Sequence, residues 1–116
     1  MERAIDFYAA ALPLVAGSFA DRELLRRQQE RNRERGTGPQ LALQASADYL
    51  RGWQESGHLD PAADPDAMAV ALCGAALMYA WTEQLAGAGE VRGGRDGLIR
   101  ALIGSIAGPY MTKDTP

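Results

Sequence analysis

Residues Asp64 to Ala86, DPDAMAVALCGAALMYAWTEQLA, decide the fold. Asp64 suits a helix N-cap and Pro65 the first helical position, while Asp66 stands where the helix dipole favours negative charge. From Ala67 to Trp81 every residue is apolar or glycine, a run of fifteen flanked by Asp66 and Glu83. That is shorter than a bilayer demands, so the reading is a buried helix and not a membrane span. A surface helix is normally apolar along one stripe only. This one is apolar nearly all round, so it needs cover on more than one side. Projection at 100° per residue puts Val70, Cys73, Leu77 and Trp81 on one side. Ala67, Ala71, Gly74, Ala75 and Met78, almost all small, fall on another and would let a partner helix approach closely.

Downstream, the glycines at 87, 89, 93 and 94 make a loop. A fifth helix follows over about 95–107, with Leu98, Ile99, Leu102, Ile103 and Ile106 at helical spacing. It repeats the small-residue theme with Ala101, Gly104, Ser105 and Gly108. Gly104 and Gly108 stand at a G-x-x-x-G spacing, whose logic of close backbone approach is geometric. Two neighbouring helices with more apolar surface than five helices can cover point to a symmetric four-helix dimer seam. The other possibility is cover by helices of the same chain. Gly108-Pro109 stops the fifth helix, and a frayed tail is expected after it.

Upstream, three more helices are expected. The first spans about 2–16, with Ile5, Tyr8, Leu12 and Val15 on one face and a kink or early end at Pro13. The second spans about 21–35, with Ser18 and Asp21 as a capping box and Gly36 as its left-handed stop. Its six arginines against few apolar residues read as a solvated face laced with pairs such as Glu23–Arg27. A DNA or anionic-ligand contact is the alternative. The third spans about 39–56, with Ala42, Ala45, Tyr49 and Trp53 in one stripe and Leu43 and Leu50 widening it. No segment alternates with period two, so the class is all-α, a single domain over 1–116.

Composition excludes several functions. A net charge of −3 over 116 residues argues against an independent grip on nucleic acid. One cysteine, Cys73, forms no intrachain disulfide, and the start of the chain lacks a signal peptide's apolar stretch, which together suggest a cytoplasmic protein. His58 is the only histidine, so no histidine cluster can hold zinc, and neither metal nor cofactor is expected. Ser56, His58 and Asp60 mimic a catalytic triad in name, but triads are assembled from separate elements. The SGHLD stretch reads better as a helix end, Gly57 left-handed and Leu59 folding back. GAGEVRGGRDG lacks the residues of a phosphate loop and is a helix connection. Glu83 either points to water or is buried with a raised pKa. No catalytic residue is expected, and the chain is not read as an enzyme.

The stretch ADYLRGWQESGHLDPAADPDAMAVALCGAALMYAWTEQL, Ala47 to Leu85, resembles TetR-family transcription regulators. There a helix with a Tyr-Leu pair ends in Gly-x-Leu, followed by Asp-Pro and a long alanine-rich helix. LIRALIGSIAG, Leu98 to Gly108, resembles the family's final helix. The resemblance implies the C-terminal regulatory domain of a ligand-relieved repressor, homodimeric through its last two helices. It implies a pocket for a small apolar or aromatic effector between the central helices. On it Tyr49, Trp53, Leu77 and Trp81 line the pocket, closed by Phe7 and Leu12. Ala71, Gly74, Ala75, Met78, Leu102, Gly104, Ser105 and Ile106 form the dimer interface. The helix-turn-helix head that holds the operator is not among these residues. A stand-alone protein-interaction or small-molecule-binding module, without DNA binding, is the competing reading.

Overall fold

The computed structural model describes residues 1–112, and the chain is all-α. Five helices follow one another: α1 (Glu2–Val15), α2 (Arg22–Arg35), α3 (Gln40–Glu55), α4 (Pro65–Ala86) and α5 (Gly94–Ile106).

α4 is the spine. Asp64 caps it by accepting from the backbone N–H of Asp66 at 3.1 Å and of Ala67 at 3.2 Å. Pro65, which has no N–H to leave unpaired, fills the first turn. α1 and α3 both pack on α4, and α5 lies beside it. Two apolar clusters result. Leu50, Leu59, Ala63, Met68 and Ala107 gather at the start of α4, and Ile5, Ala76, Tyr79 and Ala80 gather towards its end. α5 touches both: Leu98 and Ile99 join the second cluster, Ile106 the first, so it runs antiparallel to α4.

The ends of the helices follow local chemistry. Pro13 sits within α1, which stops two residues later and tightens into a 3₁₀ turn over Ala16–Ala20, here called the elbow. The capping expectation for α2 needs correction. Asp21 is itself the N-cap and accepts from Glu23 N–H at 2.9 Å, while Ser18 lies in the elbow. Gly36, at φ 63°, ends α2 as expected. The Glu23–Arg27 pair is present at 3.2 Å, and the Arg26 guanidinium holds the Glu23 carboxyl below the usual carboxylate range.

The frayed tail is not observed over the described part of it. After α5 a short 3₁₀ turn, Gly108–Tyr110, leads to a single antiparallel bridge between Leu59 and Met111. Asp60 N–H donates to the Tyr110 carbonyl at 2.7 Å, and Thr112 N–H to that of His58 at 3.2 Å. Met111 packs on the cluster around Leu59, which is why this segment stays down. The expectation for Lys113 to Pro116 lies outside the described residues.

The molecule measures 50 × 36 × 18 Å, with a radius of gyration of 16.3 Å. A compact chain of this length would give roughly 13 Å. The excess has a cause: α2 buries no residue and packs against the elbow, outside the body formed by α1, α3, α4 and α5.

Candidate functional site

Around α4, burial divides the helix cleanly. Met68, Ala69, Cys73, Ala76, Tyr79 and Ala80 are buried on the side that meets α1, α3 and α5. Ala67, Val70, Ala71, Gly74, Leu77, Met78, Trp81 and Leu85 are exposed. At 100° per residue these eight occupy an arc of roughly 120°. It has no charged side chain along more than four turns, and Asp66 and Gln84 mark one margin. Met78 is 62% exposed and Trp81 49%. Single exposed apolar residues are ordinary, but a continuous stripe of this length marks a contact surface.

α5 extends the stripe. Its inner side, Leu98, Ile99, Leu102 and Ile106, is partly buried. One flank, with Asp96, Ile99, Arg100 and Ile103, borders an open groove of about 590 Å³ against Met1, Glu2 and Arg3. The opposite flank carries Gly97, Ala101, Gly104 and Ser105, all exposed. The groove side faces the start of α1, and the small flank is turned away from it, open to solvent.

Gly74 and Gly104 sit within these two surfaces. A Cβ placed on either would meet no heavy atom within 4 Å. Their own chain therefore has no steric need of glycine there. Each nevertheless costs its helix about 1 kcal/mol relative to alanine. Space kept open at a cost on an apolar face is what close approach of another helix requires.

The residues expected at the dimer interface divide accordingly. Ala71, Gly74, Met78, Gly104 and Ser105 are exposed on the stripe, and Ala75 stands at its margin, half-buried. Leu102 is partly buried, and Ile106 packs on the cluster around Leu50 and Leu59. Val70, Leu85 and Ala101 are not among the expected interface residues, yet they are exposed on the same faces of α4 and α5. Leu85 was legible as the end of the spacing 67, 71, 74, 78, 81, 85.

The residues expected at a pocket are more scattered. Tyr49 and Trp53 are neighbours on α3, with ring centroids 6.0 Å apart, and Trp53 meets His58 edge-on at 6.1 Å. Tyr49 is 66% exposed. Leu12 packs on the Ile5–Tyr79 cluster, while Phe7 is exposed and touches Tyr8 edge-on. Leu77 and Trp81 lie on the exposed arc of α4 together with Met78.

Where α1 and α3 flank α4, three polar groups meet in otherwise apolar surroundings. Ser46 Oγ and Cys73 Sγ are 3.5 Å apart. Burial, reinforced by the neighbouring Cys73 thiol with which it shares a hydrogen bond, raises the Tyr8 phenol above its ordinary pKa. Two residues before Tyr8 on α1, Asp6 accepts from Arg95 at 2.6 Å; Arg95 also reaches Glu83 at 3.3 Å, its guanidinium 5.8 Å from the Tyr79 ring centre. Glu83 thus neither points freely to water nor stands alone in the core, because an arginine from α5 meets it.

Ser56, His58 and Asp60 are engaged in the turn they belong to. Ser56 Oγ donates to the Trp53 carbonyl at 3.2 Å, Asp60 accepts from Ala62 N–H at 2.8 Å, and Gly57 is left-handed at φ 84°. Among the described residues no group of His, Cys, Asp or Glu is placed to hold a metal ion. No helix among them is long and apolar enough to cross a membrane. Comparison with protein-family models, curated proteins and solved structures finds no match to this chain.

Proposed function

We propose that this chain is the homodimerising, effector-sensing domain of a TetR-like transcriptional regulator, acting as a ligand-relieved repressor. The observation that carries the reading is the bare apolar arc of α4, with Gly74 at its centre, together with an exposed flank of small residues on α5. On this reading α4 and α5 pair with their two-fold mates in a four-helix seam. The large side chains of the arc alone expose roughly 500 Å² per protomer, over half of the ~800 Å² per partner in a standard interface.

The sensing part of the proposal rests on the aromatic pair Tyr49–Trp53 and on the polar cluster of Tyr8, Ser46 and Cys73. Aromatic side chains together with a few hydrogen-bonding groups suit a small apolar or aromatic effector. Operator binding would fall to a helix-turn-helix head that these 116 residues do not contain.

The two tryptophans test both halves separately, because Trp81 stands on the exposed arc of α4 and Trp53 on α3. Sedimentation velocity across a micromolar range should give a species of twice 12.4 kDa. In a Trp53→Phe variant, emission should shift to the blue as Trp81 loses water on dimerisation. In a Trp81→Phe variant, hydrophobic phenols should quench Trp53. A monomer at every concentration would sink the dimer reading. Unaltered Trp53 emission across a panel of aromatic ligands would sink the sensing one.

A further inference from the structure

We propose that the end of α1 (Leu14 and Val15), the elbow and α2 form an arm that docks on a second copy of this chain, its apolar tip and arginines covering the partner's acidic body. The inference rests on the dimer proposed above and adds a second contact to it.

Four observations support it. First, α2 finds no cover in its own chain: it buries no residue, and the element it packs against is the elbow. Second, the tip of the arm is apolar and bare. Leu14 is 83% exposed and Phe19 72%, with Val15 and Leu24 also exposed, all within eleven residues of a tight turn. Water is a poor neighbour for such a cluster, and its length of chain is too short to fold back over itself.

Third, the charges are divided. α2 holds six arginines and three glutamates, a net +3, which leaves −6 on the remainder of a chain whose total is −3. Arg26 and Arg27 are held by Glu23 and Glu30 within the helix. Arg22, Arg31, Arg33 and Arg35 make no ion pair among the described residues. A second copy offers the arm an acidic surface. A polyanion is the weaker candidate, because the whole chain repels it and three glutamates stand on α2 itself.

Fourth, the areas fit. Leu14, Val15, Phe19 and Leu24 expose roughly 400 Å² per protomer, which with the roughly 500 Å² of the large side chains on α4 reaches the ~800 Å² per partner of a standard interface. An arm that leaves its own body to grip the two-fold mate is a common way for a small protomer to enlarge its interface.

The test uses the full chain and two double variants, Leu14→Ser/Phe19→Ser and Arg31→Glu/Arg35→Glu. All four residues are exposed, and circular dichroism checks that each variant keeps its helix content. Sedimentation velocity at low and high salt then reads the dimer constant. We expect each variant to dimerise at least tenfold more weakly than the parent, and the charge variant to lose most of the parent's salt dependence. If both variants match the parent, the arm does not dock on its partner, while the α4–α5 dimer stands. A parent that stays monomeric overturns both. Retention of a DNA duplex or of anionic vesicles by the parent, lost in the arginine variant with its dimer constant unchanged, would assign the arm to a polyanion instead.

Discussion

Replacing Gly74 by alanine should push two properties in opposite directions. Within one chain the added Cβ meets nothing within 4 Å, so the change is sterically free. Alanine favours the helix by about 1 kcal/mol over glycine. For a domain of this size that corresponds to a rise of roughly 4 °C in Tm. Across a two-fold seam the same methyl enters twice, once from each protomer. Overpacking a close contact costs about 1 kcal/mol or more per methyl, so the dimer should weaken by at least ~2 kcal/mol, roughly 30-fold in Kd. Melts must be recorded well below the dimer constant, since association itself raises Tm. Sedimentation velocity supplies the constant. A monomer that melts higher, together with a dimer that forms less readily, is the expected pair. A higher melting point with an unchanged dimer constant would refute the argument, because Gly74 would then be idle space and not a site of approach.

Arg95→Met should lower Tm by roughly 4 °C, equivalent to about 1 kcal/mol, since the guanidinium contacts Asp6, Glu83 and the Tyr79 ring while Asp6 remains well exposed. A thermal melt at constant ionic strength reads it, and no change would mean that apolar packing alone holds α5. Tyr8 has its pKa raised by burial and by Cys73, so the folded state favours the neutral phenol. That contribution to stability is full below the unfolded tyrosine value near pH 10 and is lost as pH rises through the higher folded value. Tyr8→Phe should therefore flatten the alkaline limb of a stability–pH curve, and an identical limb would contradict the assignment. Asp64→Ala removes two hydrogen bonds at the start of α4 and should destabilise the fold by about 1 kcal/mol, measured by urea denaturation. A midpoint equal to the parent's would show that Pro65 and packing suffice.

Much of this fold could be read from its punctuation. Asp64-Pro65, Gly36 and Gly57 mark ends that depend on one residue's dihedral angles and hydrogen bonds, and those rules act locally. What local rules do not carry is which arc of a helix its neighbours cover. Projection placed Leu77 and Trp81 on a different side from Ala71 and Met78, yet both pairs fall in one exposed arc, because α1, α3 and α5 together cover only the far side of α4. The bare elbow was equally out of reach, since nothing in Leu14 or Phe19 says that no helix will return over them. Met111 illustrates the converse. Its bridge to Leu59 joins residues fifty-two positions apart, a pairing invisible to periodicity.

That bridge and the Arg95 contacts have a kinetic side. α5 contains no fully buried residue, so beside the packing of Leu98, Ile99 and Ile106 its attachment rests on its two ends, held by Arg95 at the start and by Tyr110 to Thr112 beyond its finish. With α4 in place the free chain runs from Gly87 to Thr112, and closing it costs about 3 kcal/mol of chain entropy, offset fully only when both ends are down. α5 and the bridge should therefore detach and re-form as one cooperative unit, while α1, α3 and α4 keep their packing. Amide protons of α5, Asp60 and Thr112 would then exchange together, at a rate set by local release and not by global unfolding. A partner laid across α4 and α5 would slow that exchange, making the lifetime of this unit a direct clock of association.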